Sequence, residues 1–256
     1  MNRFACGVLL CAALSCTAAT FAQNTPQSDT FSRKNTFTLF AEYSNDSNTI
    51  LVAQARQRKL AAAGGAYTRR VVRFLGSDLS YQIELRPVLF ESDPLEHETQ
   101  TVTVTTGPTA GTVTTITGSY VPIKCVAGTT SGTIPADPPY FPGESYVITE
   151  ACGRQWTFGQ SFAPIGFKYA LRTHHSVQPF LIGTLGSMYT SRPVPLTDAE
   201  AFNFVINLGA GVELYRSHTR SLAIEARVQH FSNRDTAEEN PGTENLIFKV
   251  SYSFGR

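Results

Sequence analysis

The sequence predicts an all-β protein, an eight-stranded antiparallel transmembrane β-barrel of the outer membrane, and three observations carry that prediction. Segments of about ten residues alternate apolar with polar or charged residues. No run of 18 or more apolar residues could form a transmembrane helix. Brief connections alternate with long ones along the chain. In a bilayer only helices and closed barrels satisfy their backbone hydrogen bonds, and a barrel hides its hydrophobicity in every second residue.

Eight segments fit. The first runs from Asn35 to Ser44 and sets Phe37, Leu39, Ala41 and Tyr43 against Thr38 and Glu42. The second, Lys59 to Val72, has the most blurred parity because it is rich in Ala and Gly. The third, Leu79 to Phe90, alternates Leu79, Tyr81, Ile83 and Leu85 with Ser80, Gln82, Glu84 and Arg86. The fourth, Gln160 to Arg172, places Ile165, Phe167, Tyr169 and Leu171 opposite Lys168 and Arg172. The fifth lies around Val177 to Tyr189. The sixth, Phe202 to Tyr215, opposes Phe204, Ile206 and Leu208 to Asn203, Asn207 and Glu213. The seventh, Ser221 to Ser232, alternates strictly, with Leu222, Ile224, Ala226 and Val228 on one face and Glu225, Arg227 and Gln229 on the other. The eighth, Glu244 to Phe254, has Leu246, Phe248, Val250 and Tyr252 facing away from Lys249, Ser251 and Ser253. Period-two alternation of this kind is the strand signature.

Connections after the second, fourth and sixth segments are short: Arg73 to Asp78, Thr173 to Ser176 and Arg216 to Arg220. Those after the first, third, fifth and seventh are long. Outer-membrane barrels keep short turns on the periplasmic side, so both chain ends are expected there and the end of the seventh strand outside. Eight strands leave an interior that side chains fill, so the charged faces predict a lumen plugged with ion pairs.

The first 22 residues read as a cleaved secretory signal peptide: Arg3, an apolar core from Phe4 to Leu14, then small residues up to Ala22. Cys16 follows Ala13-Leu14-Ser15, a poor lipobox. Residues 23–34 are expected to be a periplasmic segment, and residues 35–256 one barrel domain with a long extracellular loop at about 91–156. Export leaves Cys125 and Cys152, an even count that suggests one disulfide in an oxidising compartment. They could tie the base of the long loop, whose Thr-rich middle, Thr99 to Tyr120, is compatible with a protruding hairpin or a flexible surface loop. Without Arg3 the chain carries 20 basic and 20 acidic residues, and it has no aromatic-basic platform, so nucleic acid is not an expected partner.

The chemistry lies at the end of the seventh segment. His230 and Ser232 share the parity of Leu222 to Val228, so they are expected to face lipid. Residues two apart on a strand project from one face, near enough for an imidazole to reach a hydroxyl. A serine becomes a strong nucleophile when a base takes its proton and a third group orients that base. Glu244 has the parity of Leu246 and Phe248 and lies at the same rim, which suits it to the third role. Glu238 and Glu239 compete for that role from the looser loop. His174-His175 falls in a short turn without Cys or carboxylate at ligand spacing, so no metal is expected, and no cofactor is implied.

His230-Phe231-Ser232-Asn233, followed by Asn240, Gly242 and Glu244, resembles the active-site segment of the outer-membrane lipid A 3-O-deacylases of the PagL type. The resemblance is sharp over about the last 25 residues and architectural elsewhere. It implies an eight-stranded barrel with a Ser-His-Glu site facing the outer leaflet. Ser232 would be the nucleophile, His230 the base, Glu244 its orienting acid, Asn240 with a nearby backbone N–H the oxyanion donor, and Asn233 a supporting residue. The implied substrate and partner is lipid A, or lipopolysaccharide, of the outer membrane. A phospholipase and a non-enzymatic adhesin or loop-display barrel are the alternatives, and the sequence leaves open whether the barrel forms a homodimer.

Overall fold

Among the described residues, ten antiparallel strands form a single sheet: β1 (Asn35–Ser44), β2 (Lys59–Phe74), β3 (Ser77–Val104), β4 (Val113–Tyr120), β5 (Gly128–Ile134), β6 (Glu144–Ala170), β7 (Val177–Val194), β8 (Glu200–Ser217), β9 (Arg220–Ser232) and β10 (Thr243–Gly255). The computed structural model describes residues 30–256, so the predicted signal peptide and most of the segment 23–34 lie outside the described residues. β10 pairs with β1, and β3 pairs directly with β6. Those two pairings close β1, β2, β3, β6, β7, β8, β9 and β10 into an eight-stranded ring. Closure removes the free edges that hydrocarbon would penalise.

Side chains sort across this ring as the alternation requires. Leu39, Leu85, Leu181, Leu208, Ile224 and Phe248 are exposed on the outside. Glu42, Glu84, Arg86, Glu225, Arg227 and Lys249 are buried inside. An apolar exterior around a charged interior is the pattern of a transmembrane barrel. Aromatic pairs mark two levels: Phe37 lies against Tyr67 and Phe254 toward the end that carries the chain termini, while Phe90–Phe158 and Phe202–Phe204 lie toward the opposite rim.

Three carboxylates and three cations form one cluster in the lumen. Glu84 is its hub, accepting from Arg227 at 2.7 Å and from Lys249, with Arg86 at 3.4 Å. Arg86 also donates to Glu42 at 2.5 Å, and Arg227 pairs with Glu225. Gly209 leaves room for this arrangement, since a Cβ there would lie 2.7 Å from the Arg227 side chain and 2.5 Å from the Ala226 carbonyl oxygen. A second group closes the end near the termini, where Arg33 donates to Glu213 and Ser221, each at 2.5 Å, and Lys168 reaches Glu213 at 2.5 Å. Residues before β1, expected only as a periplasmic segment, therefore plug the barrel. Phe31 secures them by stacking on His218 at 4.8 Å and donating its N–H to the Thr173 carbonyl.

The stretch 91–156 is largely sheet. β3 has 28 residues and β6 has 27, well beyond the ~9–11 that cross a bilayer, so their surplus projects past the rim. β4 and β5 flank that projection and make a four-stranded extension, with Thr99 paired to Thr117 on one side and Thr149 on the other. The low-complexity threonines thus form a hairpin, in which β-branched side chains suit the pleat. Cys125 and Cys152 are disulfide-bonded, with their Cα atoms 5.9 Å apart, and join the β4–β5 connection to β6 near the base of the extension. Closing 27 residues contributes roughly 3 to 4 kcal/mol by the chain-entropy relation. Inside the rim, Arg58 pairs with Asp93 at 3.2 Å and donates to the carbonyls of Pro122 and Pro195, the latter at 2.7 Å. One buried guanidinium thereby gathers three connections over the barrel mouth.

Glu84→Gln is expected to destabilise the barrel by about 3 to 5 kcal/mol, because it strands buried cations while leaving the strands intact. Denaturant unfolding in detergent micelles, followed by the heat-modifiable gel shift, measures this. Loss below about 1 kcal/mol would show that the lumen network does not hold the barrel.

On the extension, beyond the spanning part of the barrel, Glu98 lies directly opposite Glu150. Nearby Glu96 pushes the Glu150 carboxyl above its ordinary 4.5. A raised carboxylate favours the protonated form in the folded hairpin, so its contribution is full below 4.5 and fades as pH rises through the folded value. Amide exchange across β3 and β6 of the extension, corrected for intrinsic rates, should be slower at acidic pH than at neutral pH. Glu150→Gln should flatten that dependence.

Candidate active site

The site is built on three elements at the rim that carries the extension. His230 and Ser232 end β9, and Glu244 begins β10. Glu244 and His230 are direct cross-strand partners, and Ser232 is opposite Phe204 of β8. Register therefore puts all three on the outward parity, next to Ile206 and Leu246 of the lipid-facing surface. His230 and Ser232 are partly exposed there.

His230 Nδ1 lies 3.3 Å from a Glu244 carboxylate oxygen. With Nδ1–H donating to that oxygen, Nε2 is left as the acceptor a base requires. Among the described residues no hydrogen bond joins His230 to Ser232. Alternate strand residues are about 7 Å apart along the chain and share one face, and catalytic hydrogen bonds are often long or poorly aligned without substrate.

Glu244 has outward parity yet is fully buried. The connection from β1 to β2 folds over it. Ile50 and Leu51 donate their backbone N–H groups to one carboxylate oxygen, each at 2.6 Å. Val52 and Ala53 donate to the other at 2.9 and 3.3 Å. Both oxygens are thereby satisfied, and one of them also meets His230. Burial of a carboxylate is tolerable only with this kind of compensation. The turn is tied in place on either side, with Asn48 N–H donating to the Glu244 carbonyl at 3.1 Å and Ala55 N–H to the Gly242 carbonyl at 3.2 Å. No signal in the sequence revealed this cradle, because its donors are main-chain groups.

The supporting residues divide. Gly242 adopts φ +58°, and a Cβ there would sit 3.2 Å from His230 Cε1. Only glycine gives both the backbone turn and the space for the imidazole. Asn233 is buried and organises the 233–240 loop: its Nδ2 donates to the Glu239 carbonyl at 2.9 Å and its Oδ1 accepts from Asp235 N–H at 3.0 Å. Asn240 belongs to the same framework. Its Oδ1 accepts from Asn233 N–H at 3.2 Å, and its Nδ2 donates to Asp235 at 2.8 Å. The amide nitrogen expected to serve an oxyanion is thus engaged by a carboxylate in this structure. Glu238 and Glu239 are exposed, and neither carboxylate meets His230.

Gly242→Ala should leave a folded barrel with a displaced His230 ring. NMR of isotope-labelled histidine would show the Cε1–H resonance shifted, with a strain cost of roughly 1 kcal/mol. An unmoved resonance would mean that Gly242 does not position the imidazole.

No curated protein matches the chain. The crystal structure of the outer membrane enzyme PagL covers 86% of this chain and 99% of its own, at 13% identity and a TM-score of 0.45. The beta domain of the Bordetella autotransporter BrkA covers 87% and 99%, at 12% identity and a TM-score of 0.28. The family model "Lipid A 3-O-deacylase (PagL)" matches residues 142–253, a stretch that contains β9, β10 and the loop between them. The resemblance carried by the His230 to Glu244 motif is therefore borne out: over residues 142–253 this chain matches the lipid A 3-O-deacylase (PagL) family.

Proposed function

We propose that the chain is an outer-membrane serine esterase that hydrolyses an ester-linked acyl chain of lipid A. The observation that carries the reading is the buried Glu244, held 3.3 Å from His230 on the lipid-facing side of the barrel, beside Ser232. The match of residues 142–253 to the lipid A 3-O-deacylase family supports it from an independent direction. A headgroup-level role as inert polar residues would leave the cradle of four N–H donors around Glu244 without a purpose.

In this mechanism lipid reaches the site laterally, from the outer leaflet. His230 Nε2 takes the Ser232 proton as the hydroxyl oxygen attacks the ester carbonyl, and Glu244 stabilises the imidazolium that forms. Collapse of the tetrahedral intermediate passes that proton from His230 to the departing sugar oxygen and leaves an acyl-Ser232. Water, deprotonated by His230, then releases a fatty acid and restores the serine. The oxyanion is assigned to Asn240 with a nearby backbone N–H, which requires Nδ2 to exchange Asp235 for the substrate oxygen. One preorganised donor is worth about 3 to 4 kcal/mol of transition-state stabilisation.

Ser232→Ala should abolish fatty-acid release while the barrel stays folded. Glu244→Gln should lower kcat by roughly 10⁴-fold, since it removes the charge that holds the imidazole in its productive tautomer. Mass spectrometry of lipid A and phospholipid from cells expressing each variant reads both outcomes. Full turnover by Ser232→Ala would end the proposal. Loss of acyl chains from phospholipid alone would reassign the substrate. Unchanged lipids with the wild-type protein would favour a display role for the extension.

A further inference from the structure

The turn that clamps Glu244 has a second property. Ile50, Leu51 and Val52 are 43%, 68% and 73% exposed, three consecutive branched aliphatic residues left largely uncovered by the described residues. Their backbone N–H groups are committed to the carboxylate, so their side chains are directed away from it. Glu244 occupies the outward face of β10, and the turn lies over that face. The exposed side chains are continuous with a surface already apolar: Leu246 follows Glu244 on β10, and Ile206 and Phe204 stand opposite His230 and Ser232 on β8. Apolar surface left in water is unfavourable, whereas acyl chains cover these side chains without that cost.

We propose that the Ile50-Leu51-Val52 turn is an acyl-chain contact of the site, and that it makes the setting of Glu244 dependent on lipid. The occupant is the hydrocarbon chain of an outer-leaflet lipid, argued from the continuity of this patch with the barrel's lipid-facing belt. The same three residues seat the chain through their side chains and hold the acid through their backbones. Contact with acyl chains fixes the turn, the fixed turn fixes Glu244, and Glu244 orients His230. The catalytic part of this inference rests on the esterase reading; the location of the turn in hydrocarbon does not.

Two measurements on the full-length barrel in vesicles test it. A fluorophore attached at Leu51→Cys should be quenched by phospholipids carrying a doxyl group on the acyl chain, whereas one at Thr130→Cys on the extension should not. Absence of quenching at position 51 overturns the proposal whatever the activity. The double variant L51N/V52N keeps every backbone donor and removes the apolar contact. Its kcat/KM on a long-chain lipid A should fall about tenfold further than on a butyryl ester, with kcat falling as well as KM rising; a loss in KM alone would show that the contact does not set Glu244. Equal losses on the two substrates would show that the turn does not read the acyl chain. Quenching in the labelled Leu51→Cys protein together with a wild-type protein that hydrolyses neither ester would sink the esterase reading and the proposed acyl-chain role in catalysis, while leaving only the placement of the turn in the acyl layer.

Discussion

Glu84 and the cations around it are the constraint from which the outer surface follows. A strand that slipped by one residue would turn every inward side chain outward. For β9 that slip would carry Arg227 and Glu225 into lipid and His230 and Ser232 into the lumen. The register seen here leaves Arg227 2.7 Å from Glu84 of β3, across the barrel, with Lys249 of β10 reaching the same carboxylate. Charges from β1, β3, β9 and β10 are therefore mutually satisfied only in this alignment. An ion-pair cluster of this kind is a weak source of net stability, because desolvation offsets most of its Coulomb energy, but a wrong register would leave its members unpaired at a cost of several kcal/mol. The interior thus specifies what faces hydrocarbon, including a site none of its residues touches.

Placing a carboxylate on the lipid side creates the opposite difficulty. Glu244 is displayed by parity toward a medium that cannot solvate it, and the chain answers with backbone. Four successive N–H groups, from Ile50 to Ala53, do for Glu244 what water would do at an exposed surface. Main-chain donors cost little conformational entropy once the turn is anchored, and they present apolar side chains to lipid on their reverse side. A side-chain donor such as Arg would have brought a second charge to the same place. The cradle therefore satisfies the acid without adding polarity to the membrane face.

Much of this was legible in the alternation. Parity alone places Phe248 outside and Lys249 inside, and it puts His230, Ser232 and Glu244 on one face. Six of the eight barrel strands appear near the expected limits and β1 matches them at both ends, whereas β3 runs on past Phe90 to Val104 and β6 begins at Glu144 rather than Gln160. Three things were hidden, each for a physical reason. The cradle around Glu244 uses N–H groups, which every residue but proline carries, so Ile50-Leu51-Val52 reads as an ordinary apolar patch in a loop. The extension from β3 and β6 has both faces at least partly wet, so the Thr-Val alternation of Thr101 to Val104 has no buried face to mark it as part of a strand that outruns the barrel. Arg33 lies outside any strand, and only the cross-barrel partner Glu213 reveals that it enters the lumen.

A filled lumen also decides how substrate and product can move. The ion pairs around Glu84, the Arg33 plug below them and the connections gathered by Arg58 above leave the interior to side chains, so no path through the barrel serves the site. The apolar flank of His230 and Ser232 is instead continuous with the bilayer, and an acylated lipid already has its chains in that layer. In the proposed reaction, approach is then a two-dimensional search, in which the ester need only slide until its carbonyl meets Ser232. The extension stands above the same rim, tied at its base by Cys125 and Cys152 and held upright by β-pairing on both sides of β3 and β6. A rigid sheet at that height borders the headgroup region and leaves the acyl layer open. In the proposed reaction, selection by acyl chain therefore falls to the rim turns beside Glu244.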